Sequence, residues 1–287
     1  MKGNEMTYQS LFKLGHVALY VKDLQLQGRF YQQVLGLELL AEREDRLDLG
    51  VGQELLIRLI KTQHQEQASA SYGLYHLALL VPERQDLANL FKHFVDNKIV
   101  LVGASDHDYS EAIYLEDLEG NGIEVYRDRP MSNWDIRENG QIVGDTRPFA
   151  EEEIYHLGKS QVPYRLPHGT RMGHVHLSVK DSRASRQFYQ QLLGVDNKFS
   201  LPSASWLASG HYHHHLAVNE WGGKELKARK TLLPGLAYYT IIYQDMVHFY
   251  HSLQQAKRMN LQLELSPQEV IVQDPDGIRF KLILEKR

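Results

Sequence analysis

Apolar and polar residues alternate from His16 to Val21, the period of a strand with one covered face. Asp23 follows and suits a helix N-cap, because its side-chain oxygen can accept from the first orphan N–H groups. Between Leu24 and Leu35, the residues Leu24, Phe30, Tyr31, Val34 and Leu35 fall on one helical face, and Gly36 suits the C-terminal stop. Leu55 to Ile60 again has strand character. The same order returns with a strand from His174, a cap at Asp181, a helix through Leu193 and a stop at Gly194.

A second, weaker unit lies inside each half. Gly73 to Val81 reads as a strand and Asp86 to Asn97 as a helix, followed by strands at Ile113–Leu115 and Ile123–Tyr126 around the turn Asp117 to Gly122. In the other half, Gly235 to Tyr243 reads as a strand, Met246 to Met259 as a helix, and Arg279 to Leu284 as a strand after the turn Asp274-Pro275-Asp276-Gly277. The pattern strand, helix, strands thus occurs four times. Arg127 to Gly169 has no sustained period and contains Pro130, Pro148, Pro163 and Pro167, so it reads as a connector with a short helix near Glu151 to Gly158.

The first and third units are copies. Gly15 to Gly36 and Gly173 to Gly194 align without a gap at an offset of 158 residues, with 13 of 22 positions identical, which marks a duplication. A chain of 287 residues then divides into an N-terminal domain over 1–128, a connector over 129–169 and a C-terminal domain over 170–287.

Composition narrows the chemistry. There are no cysteines, which excludes disulfides, thiolate metal sites and cysteine nucleophiles. A net charge of −4 and scattered basic residues exclude a nucleic-acid footprint. No apolar run approaches the length of a membrane span and the N-terminus lacks an apolar signal core, so the expected location is cytoplasmic. Histidine is the unusual residue, with 15 copies and a run at His211, His213, His214 and His215.

The motifs GHVALYVKD, GLYHLALLVP, SEAIYLEDLEGNGIEVYRDRP, GHVHLSVKD and GHYHHHLAVNEW resemble those of the vicinal oxygen chelate superfamily. That group includes glyoxalase I, bleomycin-resistance proteins and extradiol dioxygenases, and the arrangement is similar to the two-domain bacterial catechol 2,3-dioxygenase type. The resemblance implies an α+β fold of four βαβββ modules, paired into two glyoxalase-like domains with cupped, mostly antiparallel sheets. It also implies a metal held by a histidine on the first strand of one module, with a histidine and a glutamate from the first and last strands of its partner.

Carried onto the N-terminal half, these positions are His16, His76 and Glu124. Such a 2-His-1-carboxylate set suits Fe(II) and leaves positions open for substrate and O₂. Glu124 lies between Ile123 and Val125 on a strand, so it faces away from their side. In the C-terminal half, alignment places Tyr238 opposite His76 and Lys281 opposite Glu124, so the site is expected in the N-terminal half alone.

Tyr114, ten residues before Glu124, matches a tyrosine that binds the substrate hydroxylate, and His107 matches a histidine beside the substrate; both also read as ordinary core or loop residues. The acid–base histidine of the family has no clean counterpart, His64 being nearest. On a strand, His211, His213 and His215 would share one face and with His174 could form an imidazole metal site, or simply line a cup or interface.

The leading expectation is an extradiol dioxygenase of a catechol-like aromatic diol with O₂, using Fe(II) or Mn(II). A Zn or Ni isomerase or lyase of the glyoxalase type is the alternative, with Glu54 nearest the position of its fourth ligand. A ligand-sequestering protein of the bleomycin-resistance type is the non-enzymatic alternative. Partners are a small aromatic molecule and O₂, with neither nucleic acid nor membrane, and a homo-oligomer is permitted.

Overall fold

In the computed structural model, residues 10–64, 71–223, 225–228, 230, 232–266 and 269–285 are described. The Gln-rich segment after His64 lies outside them. The alternating run at the start of the chain forms strand β1 (Lys13–Val21), and Asp23 caps α1 (Leu24–Gln33) by accepting from Leu26 N at 2.9 Å. The helix stops before Gly36, which takes φ +76°, a conformation that a side chain would resist. Strands β2 (Glu38–Arg43), β3 (Arg46–Val51) and β4 (Glu54–Lys61) complete the first module.

The second module comprises β5 (Gly73–Leu80), α2 (Arg84–Asp96), β6 (Gly103–Asp106), β7 (Ser110–Glu116) and β8 (Gly122–Asp128). The connector carries short strands β9 (Asp135–Ile136), β10 (Ile142–Val143) and β11 (Arg147–Pro148), then the expected helix α3 (Glu151–Leu157). The third module has β12 (Arg171–Ser178), α4 (Ser182–Leu193), β13 (Asp196–Leu201), β14 (Ala204–Ala208) and β15 (Leu216–Asn219). The fourth has β16 (Gly235–Tyr243), α5 (Met246–Arg258), β17 (Leu263–Leu265), β18 (Glu269–Gln273) and β19 (Arg279–Leu284). No described helix is long and apolar enough to cross a membrane.

The modules pair across the two halves of the chain. One sheet runs β17-β18-β19-β16-β1-β4-β3-β2 and joins the fourth module to the first. The other runs β11-β6-β7-β8-β5-β12-β15-β14-β13 and joins the second to the third. Neither sheet is therefore built from residues 1–128 or from 170–287 alone, so the pairing of modules crosses the boundary expected between the halves. The duplication reveals that units are alike, but it carries no information about which first strands meet. That is settled by the antiparallel contacts β1–β16 and β5–β12.

One face of each sheet packs on helices and the other lines a cup. Val17, Leu19 and Val21 of β1 and Leu77 and Leu79 of β5 enter a single apolar core shared by both sheets. Polar ties cross between the sheets. Tyr31 on α1 donates to Asp117 in the β7–β8 turn at 2.9 Å, and Tyr189 on α4 donates to Asp274 in the β18–β19 turn at 2.8 Å. The Glu119 carboxylate accepts from Lys22 N at 2.8 Å, and Asp276 accepts from Lys180 N at 2.9 Å. The recurrence of FYQQ and D-x-x-G in both halves thus has a structural explanation: each helix tyrosine docks on a turn of the opposite sheet.

Candidate metal centre

Strand alternation aims three donors at one point. On β5, Leu77 and Leu79 enter the core, so His76 and Ala78 face the cup. On β8, Ile123 and Val125 enter the core and Glu124 faces the cup; on β12, Val175 does so and His174 faces the cup. Ala78 is paired with Glu124 on one side and with His174 on the other. Its small methyl group leaves the space in which the longer side chains converge. His76 Nε2 lies 3.0 Å from Glu124 Oε2, His174 Nε2 lies 3.1 Å from the same oxygen, and the two nitrogens are 3.2 Å apart.

The electrostatics suit a cation. Burial alone would raise the Glu124 carboxyl, but the charge and hydrogen bonding of His174, with His76, hold it well below the usual carboxylate range. Burial lowers His174 against the opposing pull of Glu124, favouring the neutral imidazole. All three residues are buried, and their donor atoms lie within 4.8 Å of one another. Two imidazole nitrogens this close can place only one proton between them, whereas a divalent ion would use both lone pairs and the carboxylate together. The residues therefore fit a divalent metal.

A sequence profile of the Glyoxalase/Bleomycin resistance protein/Dioxygenase superfamily matches residues 13–125 and 171–282. The chain belongs to this superfamily. The chain is 31% identical over 272 residues to "Catechol-2,3-dioxygenase" of Bacillus subtilis (strain 168), covering 91% of this chain and 93% of that protein. In fold it is similar to a putative dioxygenase from Bacillus subtilis, at 11% identity and TM-score 0.64, over 97% of this chain and 86% of that one. It is also similar to glyoxalase I from Zea mays, at 16% identity and TM-score 0.56, over 95% and 92% of the two chains.

Of the residues that the superfamily resemblance singles out, His76 and Glu124 come together and His16 does not. His16 sits on β1 in the other sheet, with Nε2 3.4 Å from the Tyr238 hydroxyl. Burial, then Arg58 and Lys281, lower His16 to about 3. The correction follows from the cross-pairing of modules: the first strand beside β5 is β12, so the third donor is His174, the counterpart of His16 in the repeat. Tyr114 is paired with Glu124 across β7 and β8, and its ring lies 5.8 Å from that of His76. Burial and the Glu124 charge push its phenol well above the ordinary range, so it remains a hydroxyl. His107 Nε2 lies 2.8 Å from the Tyr114 oxygen. His64 and Glu54 are exposed residues of the first module, and the triad is the one group of His and acidic residues among the described residues that is arranged to hold a metal ion.

The histidine run departs from its expected strand geometry. It is a bent loop between β14 and β15, so its alternate residues do not share a face. His211 is exposed, whereas His215 Nε2 lies 3.2 Å from the Ser10 hydroxyl. His213 and His214 turn toward the metal centre: the His214 ring packs 4.2 Å from that of His174, and the two Nδ1 atoms of His213 and His214 are 2.7 Å apart. His213 Nε2 meets Asp128 Oδ1 at 2.9 Å, and Tyr109 stacks on the His213 ring at 4.5 Å. Asp128, His213 and His214 thus form a chain into the cup that strand periodicity could not reveal. The signal available was compositional: consecutive histidines just upstream of a strand that closes the His174 module.

Proposed function

We propose that the protein is an extradiol dioxygenase that cleaves the ring of a catechol-like aromatic diol with O₂, using Fe(II) held by His76, Glu124 and His174. The observation that carries this reading is the convergence of the triad beside a Tyr114 hydroxyl in the same cup. When bound, the metal would supply Lewis acidity and adjacent open positions for the diol and O₂. Mn(II) would satisfy the same donors. The relative named as a catechol-2,3-dioxygenase supports the same class of reaction.

The chain's own residues divide the remaining work. Tyr114, kept protonated, donates to a substrate oxygen, and His107 fixes the direction of its hydroxyl. The Asp128–His213–His214 chain handles a proton. Asp128 can only accept, so His213 Nε2 carries hydrogen; with both rings neutral, His213 Nδ1 accepts from His214 Nδ1. His214 Nε2 is then left as an acceptor. A proton taken there can be compensated by transfer across the two Nδ1 atoms, placing the positive charge on His213 beside Asp128. The aromatic walls around His213, a buried Trp134 and a half-buried Tyr109, limit the access of water to this path.

The test is anaerobic reconstitution with Fe(II), followed by a panel of catechols in air. Oxygen uptake with a coloured ring-opened product is the expected result. Stoichiometric iron with neither signal for any diol overturns the reading.

A further inference from the structure

The first-and-fourth-module sheet presents a second cup whose charge is the inverse of the first. By the repeat, His16 stands where His174 stands; by alignment, Tyr238 replaces His76 and Lys281 replaces Glu124. Arg58 on β4 and Arg46 on β3 approach the same place. Arg58 donates to Asp48 through Nε and Nη2 at 2.7 and 2.8 Å, and through Nη1 to the Tyr238 hydroxyl at 3.2 Å. Arg46 Nε lies 3.4 Å from Asp48 Oδ1. Lys281 Nζ sits 4.4 Å above the Tyr238 ring and 2.6 Å from Glu269 Oε1.

Among the described residues, three cations, Arg46, Arg58 and Lys281, therefore share two carboxylates, Asp48 and Glu269, leaving a surplus of one positive charge. The cationic side chains are 24%, 18% and 17% exposed, so they are partly desolvated yet reachable from solvent. Arg58 commits three of its five N–H groups in these bonds, and Lys281 one of its three. The depression of His16 has burial as its largest cause, and Arg58, Lys281 and Arg46 add to it, as expected of a positive field.

We propose that this second cup binds a small oxyanion, best matched by a monocarboxylate, between Arg58, Lys281 and the Tyr238 hydroxyl. The duplication has then yielded one cup for a cation and one for an anion. Each takes the charge that its own residues leave uncompensated. This inference stands apart from the reaction proposed for the first cup.

The experiment is calorimetric titration of the full chain with benzoate and, separately, with inorganic phosphate, in low-chloride buffer. Saturable binding is expected, with benzoate favoured over phosphate at neutral pH. Affinity should fall by about tenfold or more in Lys281→Gln, as loss of one charge-assisted contact implies. It should also fall in Arg46→Gln, which removes the surplus positive charge without touching the anion. Glu124→Gln should leave it unchanged, separating this cup from the metal centre. Absence of saturable binding, or equal binding in the folded Lys281→Gln and Arg46→Gln proteins, overturns the proposal. Binding abolished by Glu124→Gln also overturns it, because the anion would then belong to the first cup.

Discussion

Tyr31 donates a buried hydrogen bond to Asp117 at 2.9 Å, although the helix of the first and the turn of the second belong to different sheets. Asp117 also accepts from the backbone N–H groups of Glu119 and Asn121, so one carboxylate organises the turn and anchors the helix. Tyr31→Phe should destabilise the fold by about 1–3 kcal/mol, the cost of a buried acceptor left short of a donor. Tyr189→Phe should behave alike at Asp274. Because the two ties share no residue, their effects should add; denaturant unfolding of the single and double variants checks this.

Metal content gives the most direct view of the first cup. Glu124→Gln, His76→Ala and His174→Ala should each remove most of the divalent metal retained after purification without chelator. His16→Gln should keep it, since His16 lies in the other sheet against Tyr238. Elemental analysis of the four variants distinguishes the triad found here from the one suggested by reading the N-terminal half alone.

Tyr114→Phe preserves ring packing and removes only the hydroxyl. Metal content should be unchanged, while kcat/KM for a catechol should fall by about 10²-fold, the scale of a lost acid–base or orienting group. His214→Gln should lower activity to a similar extent and also alter the pH–rate profile, because the proton path through His213 to Asp128 would be cut. Steady-state kinetics across pH reads both effects.

Gly173 precedes His174 on β12, and a Cβ at this position would overlap the hydroxyl end of Tyr126. Tyr126 is fully buried and its oxygen lies 2.6 Å from that of Tyr212, so it has little room to yield. Gly173→Ala should therefore destabilise by about 1–3 kcal/mol through overpacking and weaken metal retention by shifting His174. Thermal unfolding with and without added Fe(II) separates the two consequences.

Acid should weaken the fold through histidines held neutral by burial. His16 and His215 are each lowered from 6.5 to about 3, with burial the largest cause. Between these values the unfolded chain binds protons that the folded chain does not, so stability is present above 6.5 and is lost as pH falls toward 3. His16→Gln should flatten that decline by up to about 1.4 kcal/mol per pH unit. Urea unfolding at a series of pH values measures the slope; an unchanged slope would remove His16 from this account.

Much of the fold was legible because its signals are local. Alternation in β1, the oxygen of Asp23 and the glycine at Gly194 each act over a few residues and appear where the sequence indicates. His76 and Glu124 follow from the superfamily resemblance and not from any local signal, and the structure brings their donor atoms together. Tyr114 and His107 follow from the same resemblance and lie beside them. His174 was not legible, because choosing it over His16 depends on which strand lies beside β5, a contact between residues 98 positions apart. His213 and His214 were obscured for another reason: their loop bends, so counting alternate residues assigns faces that do not exist.

The cross-pairing of modules also sets an order of assembly. The chain is nested like two pairs of brackets: the inner pair closes when β12 meets β5, the outer when β16 meets β1. His16 and Tyr238, in the outer pair, are 222 residues apart, whereas His76 and His174 are separated by 98. During synthesis, the cup with the His76, Glu124 and His174 cluster can close while β1 still waits with an open edge for a partner not yet made. The bracket that carries the candidate site is thus the first that can be complete, and the slow, long-range closure falls to the cup that the proposed chemistry does not use.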